Sequence, residues 1–289
     1  MTLLELLNWS TTYLREHGIE NPRLNAELLL ARCLNLTREG LYTRLGDRFG
    51  KEGKESLEYL IRRRVSGEPL QYILGHQEFW SIYLRVDPRV LIPRPETELL
   101  VEQSLSILSE GSLKGTPRVL EIGTGSGAIA ISLAKEVRDL FIVATDISGE
   151  ALLLARENAL SAGVDHQIMF VKGDLFGPFR LMREKGSFDL ILSNPPYIQC
   201  SEIQNLAREI KDYEPIVALN GGADGMAFYR SIVSQGPRYL REGGWLLLEV
   251  GKGQGKMLSA MIEEEGSFTR AERIKDLSGI ERVVKAQKK

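Results

Sequence analysis

Between residues 118 and 249 the chain alternates short apolar runs with amphipathic stretches. "RVLEIG", "LFIVATD", "IMFVKGD", "FDLILSN" and "GWLLLEVG" are separated by segments with helical spacing. Runs with hydrophobic side chains at successive positions suit strands covered on both faces, and strands joined by helices run parallel. The alternation therefore predicts an α/β fold with a mostly parallel sheet between layers of helices. The helices are "GAIAISLAKE", "GEALLLARENALSAG", "MAFYRSIVSQGPRYLREG" and "GKMLSAMIEEEG". Two closing segments, "FTRAERIKD" and "GIERVVKAQ", read as an antiparallel pair.

Ahead of this region, residues 1–75 read as a small helical bundle. Thr2 and Glu5 have capping-box spacing, and Asn21-Pro22 pairs a cap residue with a proline at the first helical position. Shorter helices are expected around 37–45 and over 51–66, the latter ended by Gly67 and Pro69. Residues 76–95 read as a β-hairpin linker, with Phe79, Ile82, Leu84 and Val86 on one arm, Val90 to Ile92 on the other and the turn at Asp87-Pro88. The third segment, 96–289, follows from "PRPETELLVEQSLSIL", a helix with Pro95 near its first turn. Arg62 to Arg64 and the terminal Lys288 and Lys289 read as solvated charge.

A net charge of −2 argues against a protein whose main task is to grip a nucleic-acid backbone. Cys33 and Cys200 lie far apart, and His17, His76 and His166 share no ligand spacing, so neither a disulfide framework nor a metal site is expected. No charged-then-apolar leader opens the chain, and no apolar run approaches the roughly 20 residues that span a bilayer, so a cytoplasmic location without membrane contact is expected.

"LEIGTGSG" follows the first strand of the alternation and opens a helix. Gly123, Gly125 and Gly127 permit a tight turn and close approach of a ligand to the backbone. Asp146 ends the next strand, where a carboxylate reaches both ribose hydroxyls of an adenosine; it could instead cap the following helix, a role open also to Ser148. Asp174, in "KGDLF", is placed to reach an adenine edge. The spacing is GxGxG rather than the GxGxxG of dinucleotide sites, and no GKS or GKT follows. Glu121, two residues before Gly123, would repel a pyrophosphate but suits an amino group. These choices favour S-adenosylmethionine, a cation without phosphate.

"SNPPY" stops the fourth strand with two residues that donate no backbone hydrogen bond. Methyl transfer from a sulfonium needs a nucleophilic lone pair held against the methyl group. In a planar amide or aryl amine that lone pair is delocalised. Two acceptors placed at its two N–H groups let it localise. The Asn194 side-chain carbonyl and the Pro195 backbone carbonyl supply them, Pro195 and Pro196 keep them in place, and Tyr197 offers a ring to pack on a planar group.

With both motifs present, the sequence resembles the class I S-adenosylmethionine-dependent methyltransferases of the HemK/PrmC type, which methylate a glutamine side-chain amide in peptide chain release factors. The resemblance spans nearly the whole chain, through "GEPLQYILGHQEFW", "LIPRPETELLVE", "VLEIGTGSGAIAISLA", "SNPPY", "YEPIVALNGGADGMAFYRSI", "LLEVG" and "KDLSGIERVV". It implies a Rossmann-like, mostly parallel seven-stranded sheet behind an N-terminal domain that docks the substrate. It further implies that Gly123, Thr124, Gly125, Ser126 and Gly127 serve the methionine part of the cofactor, Asp146 the ribose, and Asp174 and Leu175 the adenine, with Glu121 and Ile147 also among the cofactor-binding residues. Asn194 would face both cofactor and substrate, with Pro195, Pro196 and Tyr197 completing the glutamine clamp. The product would be S-adenosylhomocysteine, and the partner a class-1 release factor presenting its Gly-Gly-Gln loop. Arg94 and Glu96 either close over the methionine end or anchor the linker as an ion pair. Asp224 reads as a helix cap. A glutamine of a ribosomal protein is the alternative target, and an amine of DNA or RNA a further one.

Overall fold

The computed structural model describes residues 1–48, 50–109, 115–180 and 186–289. The chain divides into two compact units, residues 1–76 with 207–213, and residues 77–206 with 214–289.

In the first unit, α1 (Leu3–Glu16), α2 (Pro22–Leu34), α3 (Arg38–Tyr42), α4 (Lys51–Val65) and α5 (Leu70–Leu74) surround a core of Leu6, Leu7, Leu29, Leu30, Leu57 and Ile61. The Thr2–Glu5 capping box opens α1. Asn21 departs from expectation, because its left-handed backbone (φ 48°) turns its side chain away from a capping bond. Within the arginine run Arg62 is exposed, as expected, but its two neighbours are not loose charges. Arg63 meets Glu68 at 2.7 Å, and Arg64 reaches Asn25 at 2.9 Å and Glu209 at 2.8 Å.

The second unit begins at Gln77, within β1 (His76–Phe79), which pairs with β2 (Ile82–Arg85) in a hairpin whose two-residue turn is Trp80-Ser81, not Asp87-Pro88. Both turn residues have positive φ (51° and 58°), the geometry that matches strand twist but is normally signalled by Asn or Gly. Asp87 instead forms a local turn, accepting from the Arg89 N–H and guanidinium, and Val90 and Ile92 are buried without forming a strand. The hairpin is part of the core rather than a linker. Phe79 and Leu84 join the main cluster, and Asn158 both donates to and accepts from the Arg85 backbone.

Seven strands follow: β3 (Arg118–Ile122), β4 (Phe141–Asp146), β5 (Ile168–Lys172), β6 (Phe188–Ser193), β7 (Leu240–Glu249), β8 (Glu272–Lys275) and β9 (Glu281–Gln287). They form one sheet in the order β5-β4-β3-β6-β7-β9-β8, parallel through β7, with β9 and β8 antiparallel. Successive residues alternate faces. Leu247 packs on one side with α6 (Glu98–Ser109) and α7 (Ala128–Glu136); Leu246 and Leu248 pack on the other with α10 (Ala227–Gln235) and α11 (Gly255–Glu265). Helices α8 (Gly149–Ala162) and α9 (Arg208–Lys211) complete the set, α9 lying in the first unit.

Two further expectations are corrected. The helix expected through "GPRYLREG" ends at Gln235, since Pro237 cannot continue it, and β7 begins at Leu240 with an irregularity that Gly243 (φ 73°) accommodates. Lys288 and Lys289 are not loose charges, because their ammonium groups donate to the carbonyls of Leu240 and Gly266 at 2.8 Å each. Among the described residues no helix is long and apolar enough to cross a membrane.

Candidate active site

Strand register builds the site. Ile122 lies level with Thr145 and Ser193, Asp146 with Lys172, and Ser193 with Leu248. The residues that emerge at the carboxyl ends of these strands are therefore Gly123, Asp146, Gly173-Asp174, Asn194 and Glu249. Chain order reverses between β3 and β6, the switch point at which parallel α/β sheets hold ligands. A cavity of about 360 Å³ opens there, within the range of small-ligand pockets. Gly123, Gly125, Asp146, Leu175, Asn194 and Pro195 are among its walls.

The three loop glycines do different things. A Cβ on Gly123 or Gly125 would meet no atom within 4 Å, so both leave open space beside the cavity. Gly127 (φ 84°) is a packing residue. A Cβ there would come within 2.9 Å of Ile131 and 3.2 Å of Ala155, pushing α7 from α8. The Asp146 carboxylate joins two loops, accepting from Gly125 N–H and Ser148 N–H at 2.9 Å each. Burial raises its pKa, against the backbone hydrogen bonds from Ser148, Gly125 and Ile147 that lower it. Ser148, not Asp146, caps α8 through its hydroxyl. Ile147, Asp174 and Leu175 line the same end of the cavity, Leu175 with a left-handed backbone (φ 48°).

Glu121, Thr124, Ser126 and Gly127 do not line the cavity; they form the layer beneath it. Glu121 is 1% exposed, its Oε2 accepts from the Thr124 hydroxyl at 2.7 Å, and its Oε1 has no partner among the described residues. Burial pushes this carboxyl up to about 7, with the Thr124 hydrogen bond opposing. A carboxyl raised in the folded state takes up a proton on folding, so its cost is absent below its ordinary 4.5 and fully present above about 7. The melting-temperature difference between Glu121→Gln and the unmodified protein should therefore shift in the variant's favour, by several degrees, from pH 5 to pH 8. A pH-independent difference in thermal melts would show that Glu121 folds with an ordinary pKa.

At the end of β6, Asn194, Pro195 and Pro196 all reach the cavity. No described residue donates to the Pro195 carbonyl. Tyr197 does not line the cavity. Its ring packs over Gly251, where a Cβ would lie 2.9 Å from Cδ2, and Gln254 donates to its carbonyl at 3.0 Å. Burial pushes its hydroxyl up to about 12, with Glu249 adding to the shift. The chain after Tyr197 bonds to the "LNGG" segment: Ile198 N–H to Leu219, and Gly221 N–H to Ile198 at 2.7 Å. Gly221 needs its missing side chain, since a Cβ would come 2.7 Å from the Tyr197 Cα. Asp224 pairs with Arg230 and accepts from Met226 N–H just ahead of α10, so it shapes the approach to that helix rather than capping it directly.

Several contributors carry no local sequence signal. Arg89, Val217, Ala227 and Phe228 line the cavity through tertiary placement. Arg94 pairs with buried Glu214, which also accepts Ile92 N–H at 3.3 Å, tying the "LIPR" and "YEP" segments together. Glu96 lies 3.7 Å from Arg282. Thr97 and Glu249 sit behind Asn194, the Asn194 Nδ2 donating to Thr97 Oγ1 at 3.2 Å.

Residues 5–75 match the family described as PrmC N-terminal domain, and residues 97–212 the one described as methyltransferase small domain. A release factor glutamine methyltransferase of Geobacter sulfurreducens is 42% identical over 98% of this chain and 95% of its own length. One from Rhodopirellula baltica is 37% identical over 99% and 96%. Among solved structures, the hMettl16 catalytic domain in complex with MAT2A 3'UTR hairpin 6 shares the fold at 17% identity, with a TM-score of 0.55 over 78% of this chain and 81% of that one.

Proposed function

Since this chain belongs to the release factor glutamine methyltransferases, we propose that it transfers a methyl group from S-adenosylmethionine to the side-chain amide nitrogen of the glutamine in the Gly-Gly-Gln loop of a class-1 release factor. The observation that carries this reading is the placement of Asn194 and the undonated Pro195 carbonyl in the wall of one cavity with Asp146 and the open glycine loop.

The residues present fit this cofactor. A buried Glu121 carboxyl under the loop, with Oε1 lacking a partner among the described residues, suits a ligand that brings positive charge and no phosphate. Gly123 and Gly125 leave open space where the methionine part would lie, Asp146 would hold the ribose, and Asp174, Leu175 and Phe228, in the same cavity wall, would receive the adenine. When bound, S-adenosylmethionine supplies an electrophilic methyl group on a sulfonium. The clamp's task is to hold the glutamine amide by its two N–H groups, one on Asn194 Oδ1 and one on the Pro195 carbonyl. That hold aims the nitrogen and draws its lone pair out of conjugation. Neither acceptor needs to move, because Pro195 and Pro196 fix the backbone. The helical first unit would dock the body of the release factor.

The test is methyl transfer from labelled S-adenosylmethionine to purified release factor, its loop Gln→Ala variant, a ribosomal protein and DNA. Label on the intact release factor alone is expected. Label on the Gln→Ala variant, or on ribosomal protein or DNA in its place, would overturn the assignment of substrate.

A further inference from the structure

Resting on the amide clamp just described, we propose that Thr97 and Glu249 are positioning residues that fix which end of the Asn194 side chain faces the substrate. A carboxamide is nearly symmetric in shape, and a half-turn exchanges its carbonyl for its NH2 group. The clamp works in only one orientation. With NH2 toward the cavity, Asn194 would present donors to a substrate amide that needs an acceptor.

Two acceptors gather on the far side of Asn194. Thr97 is buried in the turn that precedes α6, with its Oγ1 3.2 Å from Asn194 Nδ2. Glu249 is 2% exposed at the end of β7, brought beside Asn194 by the alignment of Ser193 with Leu248. The Glu249 carboxyl lies beside the Thr97 and Asn194 side chains, which favour its ionised form, and its buried Oε2 has no hydrogen-bond partner among the described residues. An ionised carboxyl only accepts, so a buried carboxyl at this place favours the NH2 end of Asn194 over its carbonyl. The Thr97 hydroxyl accepts from that NH2 group through a lone pair. Nδ2 thus belongs on this side, and Oδ1 is left for the cavity that Asn194 lines.

The reversed rotamer sets two buried acceptors against each other and strands the amide donors, the costly way to lose a buried hydrogen bond. The other charged neighbours of Glu249 are Arg282 and Glu96. Arg282 is itself shared with Asp276 at 3.1 Å and Glu96 at 3.7 Å, so it steadies Glu249 without occupying it alone. A buried carboxyl raised to about 7 mainly by desolvation is costly, and glutamine would fill the space more cheaply. Glutamine, however, offers a donor as readily as an acceptor. It would lose the one-way character on which the orientation depends.

The experiment compares Thr97→Val, which keeps shape and removes the hydroxyl, with Glu249→Gln and Thr97→Ser. Three quantities are read: kcat and KM on the release factor, cofactor Kd by calorimetry, and solvent exchange of the Asn194 side-chain NH2 resonances, assigned by their loss in Asn194→Ala. Thr97→Val and Glu249→Gln should lower kcat by about 10–100-fold, the usual effect of losing an orienting partner behind a functional ligand. Cofactor Kd should hold, the Asn194 amide protons should exchange faster, and Thr97→Ser should recover most of the turnover. A folded Thr97→Val variant with unchanged kcat and unchanged exchange would overturn the proposal. Should the unmodified protein leave the release factor unlabelled, the substrate reading fails, while the Asn194 exchange rates still decide the positioning role.

Discussion

Replacing Asn194 with alanine should lower kcat by about 100–1,000-fold while leaving the affinity for S-adenosylmethionine near its original value. The size follows from what one preorganised polar group is worth at a reacting centre. The amide nitrogen gains reactivity only if both of its N–H groups are held, and the Pro195 carbonyl alone leaves one free. The substitution should not disturb the fold. Asn194 is half-buried, its partner Thr97 is held in the turn ahead of α6, and the loop beyond it is held by Gly221 and Gln254. Single-turnover kinetics with calorimetry separate the two quantities. An Asn194→Ala enzyme that turns over at the original rate would remove the clamp.

Asp146→Ala should do the reverse, weakening cofactor binding by about 10–100-fold with a smaller effect on kcat at saturation. Hydrogen bonds to a charged acceptor contribute about 1.5–3 kcal/mol each, and every 1.4 kcal/mol is tenfold in Kd. The same carboxylate also receives Gly125 and Ser148 N–H, so its loss strands two loop donors and should lower the melting temperature. Because burial raises the Asp146 pKa, cofactor affinity should begin to fall on acidification at a higher pH than for an ordinary aspartate. Binding titrations at several pH values check both statements. Unchanged affinity in Asp146→Ala would take the residue out of the ribose site.

The parts of this fold that were legible in the sequence are those written in short-range chemistry. The strand-helix alternation from residue 118 gave the parallel sheet, and Thr2 with Glu5 gave the start of α1. Elements whose cause is tertiary were not legible. The hairpin turn at Trp80-Ser81 uses left-handed backbone without glycine, so Asp87-Pro88 looked the better candidate. Thr97, Phe228 and Glu249 come to the site from three distant segments, and their meeting there is set by the sheet rather than by any spacing along the chain. Tyr197 shows the opposite failure. Its place in "NPPY" suggested a ring facing the ligand, yet space over Gly251 lets the ring turn into the wall behind the clamp.

The assignment of residues 207–213 to the first unit bears on how such proteins can be recombined. The chain leaves the second unit shortly after the clamp, adds α9 to the helical unit, where Glu209 meets Arg64, and returns at Glu214, the partner of Arg94. The helical unit is therefore encoded by two separate stretches of sequence. A chimera made by exchanging residues 1–76 between relatives would set a foreign Arg64 environment against a resident Glu209. A graft that moves both stretches together keeps the Arg64–Glu209 pair intact.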